Sequence, residues 1–227
     1  MPERSRSPMT GDLLVTVLLS SLFSVGLFIA RVIAGGGDRY WFLNWNLLLA
    51  WLPLLFALAL RRRLRSHPWL SWRSLVLTLL WLGFLPNSFY LVSDFIHLHE
   101  SGEVSLLYDI VMFMSFTLNG FILGFGSLYV IHKELLGKIR RRDALVIIYG
   151  VLLLCGFAIY LGRYQRWNTW DVLVNPAGVL FSVSDRFINA GSSPQMFTTT
   201  LMFFALLAST YALIWRVSSL LGLNRRA

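Results

Sequence analysis

Apolar residues in this chain neither alternate nor confine themselves to one helical stripe. They run together in six blocks, at about residues 13–34, 43–60, 74–92, 104–131, 144–161 and 196–215, parted by shorter polar segments. A run of roughly twenty apolar residues is long enough to cross a ~30 Å hydrocarbon core. Backbone inside that core must satisfy its hydrogen bonds within its own segment, so each block is predicted to be a helix. The weak alternating segments that announce a membrane barrel are missing. The pattern predicts an all-α fold: a polytopic membrane helix bundle of about six transmembrane helices, one integral membrane domain over residues 1–227, with a long outer loop at 162–195. Pro53 and Pro86 fall inside the second and third blocks, where a missing N–H predicts a kink or break.

Composition narrows the class further. Of 227 residues, 56% are hydrophobic and only 14% charged, with a mean hydropathy of +0.64. A soluble domain carries about a quarter charged residues. A soluble globular domain, a disordered chain and a secreted disulfide scaffold are all excluded. The lone cysteine, Cys155, lies inside the fifth block and reads as a small buried apolar side chain.

The net charge of +9 acquires its meaning from its distribution. With the N-terminus inside, four segments face the cytoplasm. They hold Arg4 and Arg6; Arg61, Arg62, Arg63, Arg65 and Arg73; Lys133, Lys138, Arg140, Arg141 and Arg142; and Arg216, Arg225 and Arg226, which is fifteen of the twenty basic residues. Only Arg31, Arg39, Arg163, Arg166 and Arg186 remain outside. This bias alternates at every loop and predicts that both termini are cytoplasmic in a multi-pass plasma-membrane protein. The basic loops are expected to touch anionic headgroups of the bilayer, each charge contributing about 1 kcal/mol near the surface. No nucleic-acid motif accompanies the charge, so nucleic acid is not an expected partner. The first block followed by Val32, Ile33 and Ala34 has the order of a cleavable signal peptide. Its length and the crowding by Arg31 favour an uncleaved first span.

Acidic residues show the opposite bias. Seven of eleven fall outside: Asp38, Asp94, Glu100, Glu103, Asp109, Asp171 and Asp185. Two outer segments concentrate polar and aromatic residues, 85–99 and 162–171. In the first, Asn87, Tyr90, Asp94 and His97 are spaced three, four and three, which on a helix makes one stripe. His99 falls almost opposite and is expected to face solvent. Polar residues at such depth are tolerated only when buried in protein or lining a wet cavity.

Asp94 and His97 are the candidate catalytic pair. They can supply two metal ligands, with Asp109 or Asp171 as a third, or Asp94 can orient His97 as a general base. The competing reading is a satisfied polar network that ties the third span to its neighbours. In the second segment Arg163 and Arg166 can pair with Asp94 or Asp171, or grip an anionic lipid or substrate group. Asn87, Tyr90, Arg163, Asn168 and Asp171 are therefore the candidate ligand-binding residues, one wall from each segment. Asn44, Asn46, Asp109 and Asn119 are candidates for the same network.

The remaining features carry less chemistry. Gly120 and Gly124, with Gly126 after them, read as a close helix–helix contact. Val179, Leu180, Val183, Phe187 and Ile188 form the apolar face of a short helix on the membrane surface. No Walker, nucleophile-elbow, Cys-x-x-Cys or His-Glu-x-x-His motif occurs, and no internal repeat is visible.

Three strings together resemble a known family. They are Asn46-Leu47-Leu48-Leu49-Ala50-Trp51-Leu52-Pro53; Leu85-Pro86-Asn87-Ser88-Phe89-Tyr90 with Asp94-Phe95-Ile96-His97-Leu98; and Gly162-Arg163 with Arg166-Trp167-Asn168-Thr169-Trp170-Asp171. They are similar to the DUF1361 family of bacterial integral membrane proteins, from about Trp41 to Asp171 and more weakly to the last span. The resemblance implies a polytopic membrane protein of unassigned function. It marks Asn46, Pro86, Asn87, Tyr90, Asp94, His97, Asp109, Arg163, Trp167, Asn168 and Asp171, and brings no activity, cofactor or metal with it. Enzyme, transporter and scaffold all remain open: a membrane-embedded enzyme on a lipid-linked or periplasmic substrate, a small-solute or ion transporter built on the break at Pro86, or an assembly protein with unknown protein partners.

Overall fold

The computed structural model describes residues 8–100, 102, 104–165, 177–178 and 194–222. Among them there is no strand. The helices are α1 (Pro8–Arg31), α2 (Phe42–Arg63), α3 (Trp72–Tyr90), α4 (Leu106–Leu136), α5 (Arg141–Tyr164) and α6 (Pro194–Leu220). A wide turn of π-helix, Val32–Gly36, follows α1, and a 3-10 helix, Leu91–His97, continues α3. The described residues contain six helices long and apolar enough to cross a membrane. Each covers one apolar block, and most run a few residues past it into polar flanks.

Helix α4, 31 residues long, is the axis of the bundle. It packs against α1, α2, α3 and α5, while α6 leans mainly on α5. Two apolar cores result. One joins α1, α2 and α4 through Val17, Leu43, Leu47, Met112, Phe113 and Phe116. The other joins α2 to α6 through Leu60, Trp81, Leu85, Phe89, Leu128, Ile148, Leu152 and Leu207. Side chains pointing away from both, such as Leu19, Phe23, Leu79, Val146 and Leu201, are exposed as lipid-facing residues would be.

The glycines of α4 let α3 come close. A Cβ at Gly120 would collide with the Ser88 carbonyl oxygen and lie 2.7 Å from Leu91 Cδ1. One at Gly124 would lie 2.7 Å from the Phe89 ring. The packing reading of these residues therefore holds. Nor is either proline a break. Helix α2 runs through Pro53, and α3 runs through Pro86 as far as Tyr90 before tightening into the 3-10 turn. Asn87 Nδ2 donates to the Phe84 carbonyl at 3.2 Å, satisfying backbone beside the proline with a side chain.

Candidate functional site

One end of the bundle gathers the C-termini of α1, α3 and α5 with the N-termini of α2 and α4, and most of the polar side chains predicted to matter meet there. The 3-10 helix sets their geometry. With three residues per turn, side chains three apart eclipse. Tyr90 and Ser93 form one column, and Asp94 and His97 the next. Ser93 Oγ donates back to the Tyr90 carbonyl at 2.6 Å.

Arg163, in the last turn of α5, lies across both columns. Its Nη2 donates to Asp94 Oδ1 at 2.7 Å and to Ser93 Oγ at 2.6 Å. Its Nη1 donates to His97 Nε2 at 2.9 Å, and its guanidinium carbon sits 4.4 Å from the Tyr90 ring centre. Because a guanidinium has only donors, His97 Nε2 must be the acceptor and the imidazole neutral. Placement at a helix C-terminus also favours the cation. From α2, Asn46 Nδ2 donates to Asp94 Oδ2 at 2.8 Å. Asp94 is thus almost wholly buried with both oxygens bonded, whereas His97 is exposed, its ring edge packed on Phe42.

The same end holds a second buried ion pair. Arg31 Nε lies 2.7 Å from Asp109 Oδ1 and Nη2 lies 3.3 Å from Oδ2, with side-chain exposures of 0% and 1%. Gly35 and Gly37 adopt positive φ angles of 91° and 60°, a conformation open to glycine without strain. The chain turns there so that Arg31 Nη1 reaches the Gly37 carbonyl and its guanidinium covers the Tyr40 ring at 4.5 Å.

Several sequence expectations find their places here. Asp94, His97, Tyr90 and Arg163 meet in one cluster, and Asn46 joins them. Asn87 stays beside the Pro86 turn. Asp109 is not part of the Asp94 site, because Arg31 holds it against α1. Asn119 points the other way as well, donating to Ser24 Oγ at 3.0 Å and to the Ser20 carbonyl on α1. Asn44 bonds the Trp41 carbonyl in its own turn. His99 is exposed, as expected, and so is its partner Arg39. Asn168 and Asp171, with Arg166, Trp167, Trp170 and the surface helix expected at 179–188, lie outside the described residues.

The chemistry changes accordingly. Asp94 does not bond His97 directly, since both reach Arg163. The lone pair that a general base would use is occupied by an arginine N–H. No group of three or more His, Cys, Asp and Glu side chains that could hold a metal occurs among the described residues, and Asp109 is not available as a third ligand. Sequence reasoning missed Ser93, whose signal is its spacing of three from Tyr90. It also missed a buried cluster at the opposite end, where His132 Nδ1 and Tyr211 Oη lie 2.8 Å apart and Trp215 stacks on the imidazole at 4.1 Å.

Six apolar helices closed at one end by two buried arginine–carboxylate pairs define a class, that of multi-pass membrane proteins with a polar cap. The chain belongs to the DUF1361 family, described as a protein of unknown function, which it matches over residues 45–209. That span contains Asn46, Asp94, His97 and Arg163 and leaves out Arg31. Neither a curated protein nor a solved structure matches.

Proposed function

We propose that this is a multi-pass protein of the bacterial plasma membrane, with both termini cytoplasmic, whose Arg163-centred cap faces outward and recognises a polar group of a lipid-linked or periplasmic ligand. The orientation rests on the basic residues, which crowd the end of the bundle opposite the cap. One observation carries the ligand reading: the cluster is graded in depth. Asp94 neutralises Arg163 from below at 2.7 Å, while His97 and the edge of Arg163 form its accessible rim. A purely structural lock needs the buried half alone.

Recognition is better supported than acid–base catalysis, because His97 Nε2 is already an acceptor for Arg163. It is also better supported than translocation. On the cytoplasmic side of the cap, Trp81, Phe84 and Leu85 on α3 are buried and offer no polar lining.

Native mass spectrometry of gently extracted full-length protein tests the reading, comparing wild type with His97→Ala and Asp94→Asn. A discrete adduct on wild type that His97→Ala loses at unchanged melting temperature supports it. Bare protein in all three cases, with Asp94→Asn merely less stable, would leave the cluster a structural lock and refute it.

A further inference from the structure

A second arginine–histidine pair stands beside the first. Arg39, in the turn before α2, places Nη1 2.6 Å from His99 Nε2. Arginine has no acceptor, so His99 Nε2 carries the lone pair and Nδ1 carries the proton. That proton goes to the His97 carbonyl, 2.8 Å from His99 Nδ1. The two imidazoles are thereby joined, and Arg39, His97, His99 and Arg163 form one continuous rim. All but the partly buried Arg163 are exposed.

This rim is rich in donors and poor in anions. Asp94 is consumed below by Arg163 and Asn46. Among the described residues Arg39 bonds no carboxylate, although Asp38 and Glu100 are its neighbour and the neighbour of His99 along the chain. The groups facing the imidazoles are Arg163 from α5 and the Phe42 ring from α2 on His97, with Asp94 on the same turn, and Arg39 on His99. Two arginines turned toward two imidazoles are stable only while both imidazoles are neutral. Once protonated, four cationic groups adjoin and require a counter-anion between them.

The geometry points to an anion site at the Arg39–His99 and Arg163–His97 rim that takes a tetrahedral oxyanion of the phosphate type and holds it more tightly as the imidazoles gain protons. Resting on the proposed recognition role, this names the ligand chemistry of the same site. Phosphate-type groups suit it because planar guanidinium forks match their oxygens and each contact is charge-assisted. Acidity strengthens binding because histidine changes charge between about pH 5 and 8, whereas carboxylates ordinarily titrate below that window. The anion can arrive free or on a lipid headgroup.

The test uses full-length protein in phosphatidylcholine nanodiscs. Sulfate binding is measured calorimetrically at about pH 5.5 and about pH 8, the histidine window. Sulfate keeps its two charges throughout, so a change in affinity belongs to the protein. Binding that is about tenfold tighter at the lower pH, and about tenfold weaker in Arg39→Gln and His99→Asn, supports a site for free oxyanions; tenfold is the order expected for one charge-assisted bond. A Glu100→Gln control should leave the pH profile unchanged.

Nanodiscs doped with phosphatidic acid form the second arm. No sulfate binding, but retention of phosphatidate that the same two substitutions abolish, supports a lipid-borne ligand. Should either variant fold poorly, the wild-type pH profile still decides, since equal affinity at both pH values overturns the inference. Binding of neither probe, or binding indifferent to Arg39 and His99, overturns it as well. A protein that binds neither probe yet keeps its native adduct sinks this inference alone, whereas loss of the adduct too sinks both readings.

Discussion

Asp94 and His97 share one face of a 3-10 turn yet do not bond each other; the Arg163 guanidinium lies between them, 2.7 Å from the carboxylate and 2.9 Å from the imidazole. The cation therefore organises the cluster. A buried carboxylate without a partner is costly, and a buried arginine more so. Asp94 and Arg163 exist at this depth because each removes the other's penalty, with Asn46 and Ser93 completing the bonds.

Breaking that pair on one side should destabilise strongly. Asp94→Leu or Arg163→Met alone is expected to cost about 3–5 kcal/mol, because the surviving charge stays buried. The double substitution should recover most of the loss, since an apolar pair of similar volume is often neutral or better. Thermal melts of the four proteins in one detergent check this. A double variant no better than the worse single one would contradict it.

Lysine should not replace either buried arginine. Arg31 binds Asp109 through two nitrogens and covers Tyr40, and Arg163 addresses three side chains at once. An ammonium keeps the charge and loses the planar fork. Arg31→Lys and Arg163→Lys are both expected to lower the melting temperature clearly, whereas Arg62→Lys at the exposed end of α2 should leave it unchanged.

The glycines of α4 offer an internal comparison. Alanine has the better helix propensity, by about 1 kcal/mol, so an unconstrained glycine should tolerate it. At Gly126 the nearest atom to a new Cβ is 4.0 Å away, while at Gly120 and Gly124 the new methyl strikes α3. Gly126→Ala should be neutral or stabilising. Gly120→Ala and Gly124→Ala should cost about 1–3 kcal/mol through overpacking, read as a drop in melting temperature or faster amide exchange in α3.

Topology can be read with the protein's own chemistry. Cys155 is buried, so wild-type protein should resist maleimide in its folded state. In a Cys155→Ala background, His99→Cys should react with an impermeant maleimide in intact cells, and Arg62→Cys only after lysis. The reverse pattern would invert the orientation proposed for the cap.

Much of this architecture is legible along the chain. Six apolar runs dictate six helices because a bilayer leaves no other partner for the backbone. The spacing of Gly120 and Gly124 already announces close packing. Asp94, His97, Tyr90 and Arg163 stand out because charge and polarity are rare in such company. Which charge meets which is another matter. Arg31 and Asp109 are 78 residues apart, Arg163 and Asp94 69, and the pattern of apolar blocks is satisfied equally well whichever way each helix is rotated. Asp109 and Asn119 went to α1 because α4 presents that face to it. The step from α-helical to 3-10 winding at Leu91 brought Ser93 under Arg163, and the uneven periods of the two helices made that column invisible to a spacing of three and four. Local sequence determined what the chain must bury; the packing of α1, α3 and α5 around α4 decided which buried charges could neutralise one another.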